Sequence, residues 1–132
     1  MNAMPELNVL VVDDEPAVRQ VLAAAIAKAG YAVESAASAA EALAKLDKTP
    51  VDVVLSDVFM PITDGIELLR QARARGHAAT FIMVTAFASV DSAIEAIKAG
   101  AWDYITKPVR NEEILHRLEQ IAALRSLRED NR

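Results

Sequence analysis

The stretch Val51-Asp-Val-Val-Leu-Ser-Asp57 decides the fold. Its apolar core, Val53 to Leu55, is nearly unbroken and ends on a Ser-Asp pair. A strand that is apolar on both sides is expected at the centre of a sheet covered on both faces, as in parallel sheets whose crossovers are helices. Working outward from a strand expected over Val51 to Leu55, comparable runs occur at Val9 to Val12, Tyr31 to Ser35, Thr80 to Thr85 and Asp103 to Thr106. Amphipathic stretches separate them, so the pattern predicts βαβ units around one parallel sheet, an α/β fold.

The stretches between the strands carry helical spacing, for example Val18, Val21, Leu22, Ala25, Ile26 and Ala29. Their ends are marked by residues with defined roles. Pro16 suits a first turn, Ser38 with Glu41 and Asp64 with Glu67 form capping-box patterns, and Asn111 is placed to cap the last helix. Gly30, Gly76 and Gly100 fall where a helix ends on a left-handed residue. The last helix is expected from Glu112 towards Arg128, turning Ile114, Leu118 and Ile121 to the sheet.

Composition removes several classes of function. A chain of 132 residues with 53% hydrophobic residues is one domain with a real core. No apolar run approaches the roughly 20 residues of a membrane span. Met1 to Asn8 lacks the basic start and apolar run of a signal peptide, so the chain is expected to be cytoplasmic. With no cysteine, disulfides, thiolate metal sites and Cys nucleophiles are excluded. The net charge of −5 argues against a nucleic-acid surface, so an effect on DNA would need another domain or partner.

In a parallel α/β sheet, ligands bind beyond the carboxyl ends of the strands. Asp13, Asp14 and Glu15 follow the first strand, Asp57 the third, Thr85 ends the fourth, and Lys107-Pro108 follow the fifth. Each residue alone has an ordinary explanation as a cap, a turn or a solvated charge; their joint placement does not. Three clustered carboxylates repel one another unless compensated. Asp13, Asp14 and Asp57 balanced by a divalent cation and the Lys107 ammonium sum to zero, leaving room for a phosphoryl dianion. All-oxygen ligands favour Mg²⁺, or Mn²⁺, over zinc.

The segments Val11-Val-Asp-Asp-Glu-Pro16, Ser56-Asp-Val-Phe-Met-Pro61 with Asp64-Gly65, Val84-Thr-Ala86 and Asp103-Tyr-Ile-Thr-Lys-Pro108 resemble the receiver domains of two-component response regulators over nearly the whole chain. The resemblance implies a doubly wound, flavodoxin-like or CheY-like five-stranded parallel sheet of order 2-1-3-4-5. It implies that Asp57 accepts a phosphoryl group from a histidine kinase. Asp14, Asp57 and the Phe59 backbone carbonyl would ligate Mg²⁺, with Asp13 acting through coordinated water. Lys107, aimed by a cis Lys107-Pro108 peptide, would neutralise phosphoryl charge, and Thr85 would hydrogen-bond a phosphoryl oxygen. Thr85 and Tyr104 would be the switch pair, biasing a surface of the fourth helix, fifth strand and fifth helix. The domain would assist its own phosphorylation and dephosphorylation without being an enzyme on other substrates.

Residues 6–123 are read as the receiver and 124–132 as the start of a linker helix to an output domain, because the segment Leu124 to Arg132 turns strongly charged. The segment Ala99 to Pro108 resembles receivers of enhancer-binding AAA+ transcription activators; a hybrid histidine kinase is the main rival. A homodimer through the fourth-helix face or the last helix is a further expectation. Phe59 and Phe87 place rings beside the site and are expected to hinder hydrolytic water. Ile62 stands where a small residue is usual, and Trp102 reads either as an interface anchor or as a packed edge residue. A haloacid-dehalogenase-type transferase would need a carboxylate where Phe59 stands, and a flavodoxin-like mononucleotide binder a Gly/Ser/Thr-rich loop where Asp13-Asp14-Glu15 stands. An inert interaction domain is the third alternative.

Overall fold

The structure, a computed structural model, describes residues 7–130. The readings placed on Met1 to Glu6, and on the end of the charged tail at Asn131 and Arg132, fall outside them. Strands and helices alternate strictly: β1 Asn8–Val12, α1 Pro16–Lys28, β2 Ala32–Ala36, α2 Ala39–Lys48, β3 Val53–Ser56, α3 Gly65–Ala74, β4 Thr80–Thr85, α4 Val90–Ala99, β5 Asp103–Thr106 and α5 Asn111–Asp130. All strand pairings are parallel, in the order β2-β1-β3-β4-β5. The central position of β3 follows from its sequence: all four residues are buried.

Side-chain alternation along each strand divides the core into two layers. Leu10, Val12, Val54, Phe81 and Met83 pack with Leu43, Leu46, Ile66, Leu69 and Ala96 of α2, α3 and α4. Val9, Val11, Val53, Leu55, Ile82 and Val84 point the other way, onto Ile26 of α1 and Ile114, Leu118 and Ile121 of α5. Among the described residues no helix is long and apolar enough to cross a membrane.

Local signals act largely as the sequence predicts. Pro16 opens α1. Ser38 Oγ accepts from Glu41 N at 3.1 Å, and Glu41 Oε1 reaches back to Ala37 N rather than to the cap residue. Asp64 Oδ1 accepts from Glu67 N at 2.8 Å. Gly30, Gly76 and Gly100 have positive φ. Three expectations shift. β2 begins at Ala32 instead of Tyr31, and β3 runs from Val53 to Ser56 instead of from Val51. Asp52 N donates to Asn8 O at 2.8 Å, so pairing starts at Asp52 beside β1, leaving Val51 outside the ladder. Asn111 is the first residue of α5 rather than its cap; Glu113 N and Ile114 N donate to Arg110 O. Helix α5 continues through Ala123 without a break. Arg125 is still tied to the body, its guanidinium donating to Asp52 Oδ1 at 3.2 Å and Asp52 O at 3.0 Å.

Candidate functional site

Backbone pairing carries the sheet one residue beyond β1 and β3. Asp13 N donates to Ala36 O at 3.2 Å, and Asp57 N to Val12 O at 3.0 Å. Both aspartates are therefore placed by the parallel ladder before their side chains make any contact. Lys107 is placed in the same way at the far side, its N donating to Thr85 O at 2.8 Å. The Lys107-Pro108 peptide is cis, as expected.

The three side chains converge. Lys107 Nζ lies 2.9 Å from Asp13 Oδ2 and 3.0 Å from Asp57 Oδ2. Asp13 and Asp57 are buried, whereas Asp14 is exposed. Burial acts to lower the Lys107 pKa, but the hydrogen bonds it donates to Asp13 and Asp57 and the charges of those carboxylates outweigh it and hold the ammonium above its ordinary value. The remaining oxygens are held by main chain: Glu15 N donates to Asp13 Oδ1 at 3.0 Å, and Phe59 N to Asp57 Oδ1 at 3.1 Å.

Asp13, Asp14 and Asp57 each offer a carboxylate oxygen, and these atoms lie within 4.8 Å of one another. Three carboxylates meet one ammonium, so the donor set fits a hard divalent cation in both charge and chemistry. No hydrogen bond among the described residues occupies the Phe59 carbonyl, so it is free to join the set.

Thr85 and Tyr104 make no hydrogen bond to the Asp57 carboxylate. Thr85 is fully buried, and its hydroxyl accepts from Phe87 N at 3.2 Å. Tyr104 is half-buried, and its hydroxyl meets Ser92 Oγ on α4. Ser92 also bonds Ser89, the N-cap of α4. The exposed Phe59 and Phe87 rings, two residues beyond Asp57 and Thr85 respectively, meet edge to face with centroids 6.2 Å apart. A largely apolar groove of about 520 Å³ opens from the carboxylates between α1 and the segment after β5, with Val18, Leu22 and Val109 in its walls.

Four contributors escaped the sequence reading. Arg19 of α1 donates to Asp13 O at 2.7 Å. Ser56 Oγ donates to Asp57 O at 2.9 Å. Gly65, quoted only as part of a motif, has a physical necessity: a Cβ there would lie 2.1 Å from Asp57 O, so α3 begins against the backbone of the aspartate itself. Ser92, the partner of Tyr104, was the fourth. A side-chain bond to a main-chain oxygen leaves no periodic trace in a sequence, although a glycine following a helix cap is a detectable hint of close approach.

Comparison with known proteins agrees with this geometry. Residues 9–119 match the family model described as the response regulator receiver domain. The transcriptional regulatory protein ZraR of Salmonella typhimurium is 39% identical over 118 residues, covering 89% of this chain and 27% of that protein. The response regulator MprA of a Mycobacterium species is 39% identical over 115 residues, 87% of this chain and 50% of its own length. The chain thus spans between about a quarter and a half of these curated relatives. A CheY-like receiver domain structure from Methanospirillum hungatei superposes with a TM-score of 0.88 at 32% identity, covering 93% of this chain and 98% of that one. Fold, site and sequence agree, and the chain belongs to the response regulator receiver domain family.

Proposed function

We propose that Asp57 accepts a phosphoryl group from the phosphohistidine of a sensor histidine kinase, and that the aspartyl phosphate switches an output, most directly transcription. The observation that carries this reading is the placement of Lys107 Nζ within hydrogen-bonding distance of both Asp13 and Asp57, at the carboxyl edge of the sheet. An Asp57 carboxylate oxygen attacks phosphorus, and the new P–O bond forms as the P–N bond to the donor imidazole breaks, its electron pair remaining on nitrogen. Lys107 offsets the charge on the phosphoryl oxygens, and the Thr85 hydroxyl turns from Phe87 N towards one of them. Bound Mg²⁺ supplies further charge neutralisation. Asp14, Asp57 and the Phe59 carbonyl would hold it directly, with Asp13 acting through water; Mn²⁺ has the same ligand preference.

Movement of Thr85 vacates space towards which Tyr104 turns, releasing Ser92 and altering the α4-β5-α5 face. Exposed Val90, Ile94, Ile97 and Trp102 lie on or beside that face, which suits docking of an output domain or a second copy; the α5 extension with Leu124 and Leu127 is the other dimer surface. The groove beside α1 is suited to receive the kinase. Residues 6–123 form the switch and 124–132 begin the link to an output, of the AAA+ activator type or within a hybrid kinase. The setting is cytoplasmic, with no direct role for nucleic acid or membrane. Autodephosphorylation follows when a water oxygen attacks phosphorus and the P–O bond to Asp57 breaks, and the Phe59–Phe87 pair restricts that water.

Acetyl phosphate with MgCl₂ tests the reading by intact-protein mass spectrometry. One added phosphoryl group is expected on the wild type and none on Asp57→Ala. Labelling that persists in that variant moves the acceptor elsewhere, and a wild type that takes no label favours an inert interaction domain. Phe59→Asn is expected to shorten the half-life of the aspartyl phosphate; an unchanged half-life removes that ring from the account.

A further inference from the structure

We infer that Arg19 is a positioning residue for the acidic loop, increasing its affinity for a divalent cation even though Arg19 is itself cationic. The inference rests on the proposed Mg²⁺ site.

Asp13, Asp14 and Glu15 connect β1 to α1 in three residues, all acidic. Their carboxylates repel one another, so the loop lowers its energy by splaying outward unless it is held. On the sheet side it is held by Asp13 N on Ala36 O. On the helix side it is held by Arg19 Nη1, which donates to Asp13 O at 2.7 Å from the second turn of α1. Among the described residues Arg19 makes no ion pair; its guanidinium is committed to a carbonyl rather than to a carboxylate. The contact fixes the peptide that joins Asp13 to Asp14, the two aspartates the loop contributes to the cluster.

The two roles open to Arg19 have opposite signs. A cation acting only through its field weakens binding of a second cation, so its removal would tighten Mg²⁺ affinity. A group that orients ligands costs affinity when removed, commonly about tenfold or more for a residue supporting the ligands.

MgCl₂ titrations of wild type, Arg19→Met and Arg19→Lys, followed by amide NMR shifts of Asp13 and Asp57, separate the two. Urea unfolding of each variant without Mg²⁺ checks the fold. The expected result is affinity weakened about tenfold in Arg19→Met and largely restored in Arg19→Lys, which keeps a charged donor. A folded Arg19→Met that binds Mg²⁺ as tightly as wild type, or more tightly, overturns the inference while leaving the metal site standing. Should Arg19→Met not fold, Arg19→Lys and Arg19→Gln decide it: affinity tighter in the neutral Gln variant than in Lys overturns the inference, and the reverse order supports it. A wild type with no saturable response overturns the metal site and this inference together.

Discussion

The two ends of the sheet treat charge in opposite ways. At the amino ends, carboxylates are matched locally. Asp52 receives the Arg125 guanidinium and Asn8 N, and Asp47 of α2 receives Arg75 and His77 of the loop after α3. At the carboxyl ends, Asp13, Asp14 and Asp57 face one another with Lys107 as the cation in contact. The first arrangement ties elements together and leaves little charge for a ligand. The second tolerates repulsion to keep a surplus of negative charge available, and it relies on backbone pairing and Arg19 to hold it in place. Paired charge and the unbalanced charge of the candidate site thus occupy opposite edges of one sheet.

The largest predicted effect breaks the functional edge sterically. Gly65→Ala places a methyl group 2.1 Å from Asp57 O, so α3 or the aspartate must move. A loss of about 3 kcal/mol or more in urea unfolding is expected, with loss of acetyl phosphate labelling.

The same kind of substitution should then act in opposite directions at the two edges. Asp52→Ala leaves Asn8 N and Arg125 Nη1 without their carboxylate acceptor, while Arg125 Nη2 keeps the Asp52 main-chain O, and is expected to cost about 2 kcal/mol. Asp14→Asn removes a carboxylate that repels two buried neighbours, so without divalent cation it should raise the urea midpoint slightly. MgCl₂ at ten times its dissociation constant should stabilise the wild type by about 1.4 kcal/mol, and Asp14→Asn by much less. Equal shifts in the two proteins would remove Asp14 from the ligand set.

A smaller effect lies in the loop before α3. Ile62 is fully exposed at a φ of 72°, a left-handed conformation that β-branched residues avoid. Ile62→Asn should stabilise by about 1 kcal/mol, read by urea unfolding, because asparagine tolerates that region.

The smallest effect concerns pH at the amino edge. The hydrogen bond from His77, aided by the charges of Arg75 and His77, holds the Asp47 pKa below its ordinary value against desolvation. A depressed carboxylate pKa contributes stability above the unfolded value of about 3.9 and loses it as pH falls through the folded value. The stability difference between wild type and Asp47→Asn should therefore persist at neutral pH and vanish in the acid range below about 4. Lys107 supplies the reverse case. Its raised pKa gives stability that is present below about 10.4 and is lost as pH climbs through the higher folded value.

Much of the fold was legible because it rests on periodic patterns: apolar runs for β1, β3 and β4, three-and-four spacing for α1, and glycine at helix ends. The site was legible because its chemistry lies in residue types at strand ends, where Asp13, Asp57 and Lys107 indeed converge. What could not be read depends on tertiary approach. Arg19 on the Asp13 carbonyl and the closeness of Gly65 to the Asp57 carbonyl arise only once α1 and α3 dock, whereas the bond from Ser56 to the Asp57 carbonyl is local to the end of β3. The early start expected for β3 at Val51 failed for a related reason: pairing with β1 begins at Asp52, and apolar character alone does not show where a ladder begins.

The bond between Tyr104 and Ser92 has one more consequence. Ser92 belongs to the hydroxyl network that closes the first turn of α4, so the Tyr104 phenol is in effect a member of that helix's cap. In the proposed switch, turning the ring would change how firmly α4 is wound at its start, and thermodynamic linkage would make the influence mutual. A partner that clamps the first turn of α4 would then hold Tyr104 on Ser92 and so oppose phosphorylation, whereas one that prefers a loosened turn would favour it. The receiver would report the phosphoryl group to its partners and sense through the same serine which partner it holds.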